Sequence, residues 1–119
     1  MKLRVYVAGP ISKGDFVVNT RRAIDTAEEL RKQGYVPYVP HLDFLWRLIY
    51  PLTWDEILTF DEEWVSQCHA LLRLYGYSPG ADREVRLAEK LGIPVFFNID
   101  DLNKFREAQE ANGNTQSKN

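Results

Sequence analysis

The apolar positions of the chain follow two different periods, which alternate along its length. Runs of β-branched and aromatic residues are typical of buried strands, and they occupy residues 3–8, 35–39, 70–75 and 94–98. Between these runs, apolar residues recur every three or four positions. This spacing predicts helices from residue 19 or 20 to 33, from 53 to about 69, from 81 to 91 and from 100 to 111.

Capping residues mark the starts of two of these helices. Asn19 or Thr20 is suited to cap the first helix. Thr53, followed three residues later by Glu56, resembles a capping box at the start of the second. Residues 41–52 are rich in large apolar side chains and fit either a short helix or a hydrophobic loop.

The alternation of strands and helices predicts a three-layer α/β fold of the Rossmann-like (flavodoxin-like) kind. We expect a parallel sheet of four to five strands with helices on both faces, in a single domain over residues 1–111. The polar residues 112–119 are predicted to be a disordered tail. Ligands of such sheets bind beyond the carboxyl ends of the strands. The candidate ligand-binding segments are therefore residues 9–14, 40–44 and 76–84, which follow the first three predicted strands.

Composition narrows the classes of function. The 119 residues are 45% hydrophobic and 27% charged, as in ordinary soluble domains, and the formal net charge of −2 offers no basic surface for a polynucleotide. Cys68 is the single cysteine, and the two histidines lie far apart, so the sequence predicts neither a disulfide nor a metal site. No apolar run reaches the roughly 20 residues of a membrane span. We therefore expect a cytoplasmic protein that binds no membrane.

The segment after the third predicted strand carries the first candidate chemistry. Backbone N–H groups at a helix start favour an anion such as a phosphate, and Ser78 and Gly80 lie at this start. Glu84 shares a predicted apolar helix face with Leu87, Ala88 and Leu91. Burial of an unpaired carboxylate is costly, so Glu84 is either a functional residue or a paired one. Its neighbours Asp82 and Arg83 are predicted to lie at the surface.

Asp61 is a second carboxylate on an apolar stripe, with Trp64, Val65 and Cys68 at helical spacing. It is either functional or hydrogen-bonded to a loop. Two inward carboxylates are typical of glycosidic-bond chemistry, in which one attacks the sugar and the other handles a proton. His41 follows a predicted strand end and is a candidate pocket residue, whereas Cys68 is interpreted as a core residue.

Three motifs in order, "VYVAGPIS", "DEEW…C.ALLRL" and "SPGADRE…AEKLGIPVF", resemble the nucleoside 2-deoxyribosyltransferase-like superfamily over residues 3–98. The resemblance implies the parallel α/β fold and cleavage of the N-glycosidic bond of a (deoxy)nucleoside or its 5′-monophosphate, by a hydrolase or a base-exchanging transferase without a cofactor. It also implies a homodimer or homotetramer.

The resemblance assigns roles to individual positions of this chain. Glu84 matches the nucleophile, Asp61 the aspartate that orients the sugar or assists proton transfer, and Tyr6 the tyrosine that hydrogen-bonds the nucleophile or positions the sugar. A further group is expected to bind substrate, with Ser78 at the 5′-phosphate: Gly9, Ile11, Ser12, His41, Ser78 and Gly80.

Some features depart from the resemblance or leave alternatives open. Cys68-His69 replaces the Ala-Asp of many relatives, and residues 41–52 fit either a base-stacking lid or a subunit interface. Besides an enzyme, the sequence fits a non-catalytic module that binds or senses a nucleotide, and a purely structural interaction protein that uses residues 41–52.

Overall fold

The structure, a computed structural model, describes residues 1–113. Strands and helices alternate along them, except that two α-helices follow the second strand. The strands are β1 (Arg4–Ala8), β2 (Val36–Tyr38), β3 (Ala70–Arg73) and β4 (Val95–Phe96). The helices are α1 (Phe16–Lys32), α2 (Phe44–Ile49), α3 (Trp54–Val65), α4 (Pro79–Lys90) and α5 (Ile99–Ala111), with a 3₁₀ turn at Pro40–Asp43.

The four strands form one parallel sheet in the order β2-β1-β3-β4. Val5 of β1 is in register with Pro37 on one side and with Ala70 on the other. The predicted α/β fold with an all-parallel sheet is therefore confirmed, and the strand order changes direction between β1 and β3.

Alternate residues of the central strands pack against helices on opposite faces of the sheet. Val5 and Val7 of β1 belong to a buried cluster that includes Leu30 of α1 and Leu102 of α5. A second cluster covers the other face with residues from β1, β3, α3 and α4, namely Tyr6, Ala8, Leu71, Val65, Ala81 and Ala88. This division by alternate residues gives the three layers that the sequence predicts.

The connections after β1 and β3 leave the sheet toward opposite faces and open a crevice between them. Their bases nonetheless pack closely, because a Cβ atom on Gly9 would lie 3.0 Å from Cβ of Leu74. Gly76 has φ of 125°, and a Cβ atom there would lie 2.8 Å from Cγ of Pro10. Glycine at position 76 therefore allows both the backbone conformation and the contact between the two loops.

The first helix begins earlier than the capping residues of the sequence predict. Asp15 is its N-cap, and its carboxylate accepts a hydrogen bond from the backbone N–H three residues later. The predicted caps Asn19 and Thr20 lie inside the helix. The amide of Asn19 donates instead to the carbonyl groups of Ile11 and Lys13, at 3.2 and 2.8 Å, and so holds the loop after β1.

Residues 41–52 form part of the 3₁₀ turn and then α2, a helix in which no residue is buried. Five large apolar side chains of α2 and its C-cap residue are exposed, and we call them the α2 apolar face: Leu45, Trp46, Leu48, Ile49 and Tyr50. The capping box of Thr53 and Glu56 at the start of α3 is confirmed by both of its hydrogen bonds.

One expectation about the later part of the chain is wrong, and another concerns residues that lie mostly outside the described part. Leu91 is half-exposed because it is the C-cap of α4, so it is not the core residue that the helical spacing predicts. The predicted disordered tail begins at Asn112, which caps α5, and residues 114–119 lie outside the described residues. No helix within residues 1–113 is long and apolar enough to cross a membrane.

Candidate active site

Glu84 lies on the buried side of α4, directly beside the central strand. Only 4% of the residue is exposed, and its Oε2 accepts a hydrogen bond of 2.6 Å from the hydroxyl of Tyr6. Tyr6 is fully buried on the β1 surface that faces α3 and α4. The hydrogen bond joins residues 78 positions apart and brings together two members of the predicted catalytic set.

Burial raises the pKa of the Glu84 carboxyl to about 7. The hydrogen bond from Tyr6 opposes this rise, and so do the positive charges of Arg73 and Arg83, whereas the charge of Glu62 adds to it. Burial, followed by the charge of Glu84, raises the pKa of Tyr6 well above its usual value, so this hydroxyl remains a donor. Glu84 therefore changes its charge near neutral pH, as a group with a catalytic role often does.

A cavity of about 300 Å³ opens above Glu84 in the crevice between the loops that follow β1 and β3. This volume is at the lower end of the range for sites that bind small organic molecules. Its wall includes Glu84 and most of the residues that the sequence predicts to contact substrate: Gly9, Ile11, Ser12, Ser78 and Gly80, together with Lys13. Two segments far apart in the sequence, residues 9–13 and 78–84, thus converge on one cavity.

Ser78 is the N-cap of α4, and its Oγ accepts a hydrogen bond of 3.1 Å from the backbone N–H of Ala81. A serine hydroxyl that accepts one hydrogen bond still has its proton to donate. Because this hydroxyl and the start of α4 both border the cavity, they provide donors for a negatively charged group. Lys13 adds a positive charge to the lining of the cavity.

Asp61 lies behind the cavity wall and does not form part of its lining. The residue is 1% exposed, and its charge acts on both Tyr6 and Glu84, so the three predicted catalytic residues form one buried group. Burial, followed by the neighbouring acid Asp43, raises the pKa of Asp61 well above its usual value. Burial therefore favours the protonated form of Asp61.

His41 is fully buried and is absent from the cavity wall. Its Nε2 lies 2.9 Å from the carbonyl oxygen of Pro10, an arrangement in which Nε2–H donates. Burial lowers the pKa of the imidazole, which keeps the ring neutral. In this position His41 supports the loop after β1 from behind, because the 3₁₀ turn directs the side chain into the protein.

Asp82 is exposed and Arg83 is partly exposed, in agreement with the prediction, and both also form ion pairs. Asp82 pairs with the buried Arg73 at 2.8 Å, and Arg83 bridges α4 to α3 through Glu62 at 2.6 Å and Asp55 at 3.3 Å. These ion pairs fix α4 relative to its neighbours and bring two positive charges toward Glu84.

Trp54 and Leu58 add an apolar wall to the cavity that the sequence reasoning did not assign. They occupy successive turns of α3, on the side of the helix that continues to Asp61. Positions 54, 58 and 61 follow helical spacing, and this pattern in the sequence could have indicated that Trp54 and Leu58 lie on the same side of α3 as Asp61. The guanidinium of Arg47 lies 5.0 Å from the centre of the Trp54 ring, so α2 helps to hold that ring in place.

Comparisons with known proteins give a family and a structural relative. A family model described as "Domain of unknown function (DUF4406)" matches residues 3–97. No curated protein sequence matches the chain. Among solved structures, the fold is similar to that of a 2-deoxyribosyltransferase from the psychrotolerant bacterium Bacillus psychrosaccharolyticus. The TM-score is 0.56 and the identity 18%, over 77% of this chain and 69% of that one.

Proposed function

The chain belongs to the DUF4406 family, and we propose that it cleaves the N-glycosidic bond of a nucleoside 5′-monophosphate, with Glu84 as the nucleophile. The observation that carries this proposal is the Tyr6–Glu84 hydrogen bond at the base of a cavity of suitable size. The fold similarity to a 2-deoxyribosyltransferase, a protein characterised as a biocatalyst for nucleoside synthesis, supports the same class of reaction.

The proposed reaction has two displacements at C1′ of the sugar. In the first, the Glu84 oxygen that does not bind Tyr6 forms a bond to C1′, the C1′–N bond breaks, and its electron pair leaves with the base, which takes up a proton. In the second, water or another base attacks C1′ and releases the carboxylate. Asp61 lies outside the cavity lining beside Tyr6 and Glu84, so it would assist proton transfer and the orientation of the sugar through these two residues.

The lining of the cavity offers groups for different parts of a nucleotide. Ile11, Trp54 and Leu58 offer apolar and aromatic surface for the flat face of a base. The hydroxyl of Ser78 and the first backbone N–H groups of α4 suit the 5′-phosphate. The sugar would then lie with C1′ over Glu84.

A panel assay tests the reaction and separates it from nucleotide sensing. The purified protein is incubated with matched nucleosides and 5′-monophosphates, with and without a second free base, and products are separated by liquid chromatography. We expect free base to be released from at least one monophosphate. If the second base attacks C1′ of the sugar bound to Glu84, a new nucleotide should also form. Tight binding measured by calorimetry without any base release would instead identify a non-catalytic nucleotide-binding module.

We also propose that the α2 apolar face is covered in a homodimer or homotetramer. An exposed patch of this kind on a small domain is typical of a subunit interface. We expect light scattering after size-exclusion chromatography to give a dimer or tetramer for the wild type and a monomer for Leu48→Glu/Ile49→Glu. Leu91→Glu adds a charge at an exposed leucine outside α2 and should leave the mass unchanged. A monomeric wild type would contradict the proposal.

A further inference from the structure

Residues 75–77, which lead from β3 to the cap of α4, bury no side chain. Tyr75 and Tyr77 are 80% and 74% exposed, and residue 76 is a glycine. Burial of side chains therefore does not fix this segment at the edge of the cavity. Its position matters, because Ser78 and the first N–H groups of α4 follow directly, and these are the donors assigned above to the 5′-phosphate.

The guanidinium of Arg73 holds this segment by three contacts. It donates to the carbonyl oxygens of Leu74 and Gly76, the latter at 3.0 Å, and it pairs with Oδ1 of Asp82 at 2.8 Å. One planar group thus joins the end of β3, the loop and the first turn of α4. Only 10% of the Arg73 side chain is exposed, so water competes little for these charge-assisted hydrogen bonds.

Arg73 does not line the cavity above Glu84. It borders a separate cleft of about 340 Å³, which shares no lining residue with that cavity: Arg73, Leu74, Tyr75, Gly76, Asp82 and Phe97. Arg73 therefore acts on a substrate in the cavity through the loop and helix that it holds, and through the effect of its charge on Glu84. These two routes can be separated, because lysine keeps the charge without the planar fork of donors.

We propose that Arg73 is a positioning residue that aims the Ser78 hydroxyl and the first N–H groups of α4 at the 5′-phosphate of the substrate. The proposal rests on the position of the phosphate in the proposed function. Without the fork of donors, the loop and the first turn of α4 lose their common anchor, and the helix start moves relative to a sugar bound over Glu84. A misplacement of about 1 Å is enough to lower a rate about 100-fold.

Binding of ribose 5-phosphate tests this positioning without enzymatic turnover. The full-length protein is labelled with ¹⁵N and titrated with this probe, and with ribose as the control that lacks the phosphate, while NMR follows the amide signals of Gly80 and Ala81. In the wild type we expect these signals to shift and saturate with ribose 5-phosphate. The Kd of Arg73→Lys should be at least about tenfold higher. Arg86→Lys makes the same change at an exposed arginine of α4 and should bind within about twofold of the wild type.

Asp82→Ala tests the same anchor from its exposed side and separates position from charge. The substitution removes a negative charge near the helix start, so electrostatics alone predicts tighter binding of an anion. Loss of the ion pair that ties Arg73 to α4 predicts the opposite, and we expect the Kd for ribose 5-phosphate to rise about threefold. Because 53% of the Asp82 side chain is exposed, this variant decides the question even where Arg73→Lys does not fold.

Activity measurements should show a loss that depends on the phosphate. For Arg73→Lys we expect kcat/KM for a nucleoside 5′-monophosphate to fall about 30-fold, mainly through KM, because contacts to the phosphate are made in the ground state and the transition state alike. The value for the matching nucleoside should stay within about threefold of the wild type. A merely structural defect would lower both values equally.

Equal Kd values for the wild type and a folded Arg73→Lys, tighter binding by Asp82→Ala, or equal losses for both substrates would overturn the proposal. A wild-type protein that does not bind ribose 5-phosphate at the start of α4 would overturn it as well. Binding of this probe without release of base from any nucleotide would contradict the proposed reaction alone, and the Kd values of the variants would still decide the role of Arg73.

Discussion

Glu84→Gln should lower the rate of base release at least about 10³-fold, which corresponds to about 4 kcal/mol of lost transition-state stabilisation. The amide oxygen of glutamine is a poor nucleophile and carries no charge to balance the developing positive charge at C1′. Tyr6 can still donate to that oxygen, and the side chain keeps its size, so the change removes the chemistry while the contact that positions the side chain remains.

Two controls make the loss specific to Glu84. Glu89→Gln removes the same charge from an exposed position of the same helix, and we expect its rate to stay within about threefold of the wild type. Chemical denaturation should show that Glu84→Gln is at least as stable as the wild type, because a neutral amide is less costly to bury than a carboxylate. A folded Glu84→Gln protein that releases base at a rate close to that of the wild type would exclude Glu84 as the nucleophile.

Mass spectrometry provides an independent test of the step in which Glu84 forms an ester with C1′. Acid quenching during turnover should trap wild-type protein that carries one sugar phosphate, and peptide mapping should locate this group on the peptide that contains Glu84. The Glu84→Gln protein should carry none, since no ester can form on the amide. The mass gain equals that of the substrate minus the base, as the breaking of the C1′–N bond requires.

The fold could be predicted from the sequence because the apolar patterns that indicate strands and helices are local and recur along the chain. Each predicted strand is a short apolar run, and each helix presents a stripe of apolar residues to one face of the sheet. The predicted start of α1, at Asn19 or Thr20, is wrong for a physical reason. Val17 and Val18 are exposed, so the first turn lacks an apolar stripe, and Asp15 caps a turn that the periodicity does not reveal.

The site could be predicted only in part, because its contacts join residues that are far apart in the sequence. The helical face that Glu84 shares with Ala88 indicated that the carboxylate points inward, and the structure has both residues buried. The sequence spacing could not show that Tyr6 meets Glu84, or that His41 contacts the carbonyl of Pro10 and does not line the cavity. Such pairings depend on how the loops cross the end of the sheet, which no local period encodes.

If the proposed function holds, we expect Ser78 to favour a nucleoside 5′-monophosphate over the nucleoside. Its hydroxyl borders the cavity beside the start of α4, so a negative charge placed there would repel a phosphate. Aspartate is as good an N-cap as serine, and its carboxylate can accept the hydrogen bond from the backbone N–H of Ala81. Ser78→Asp therefore changes the charge at the cavity and retains the helix cap.

We expect Ser78→Asp to lower kcat/KM for a nucleoside 5′-monophosphate about 100-fold, and to change kcat/KM for the matching nucleoside only within about threefold. Asn98→Asp adds the same charge at the exposed N-cap of α5 and should leave both values unchanged. Ser78→Ala removes the cap and should lower stability by about 1 kcal/mol in denaturant titrations, with a smaller change in preference. Equal losses for both substrates in Ser78→Asp would show that the helix start does not contact the phosphate. A loss confined to the monophosphate would locate the 5′-phosphate at Ser78.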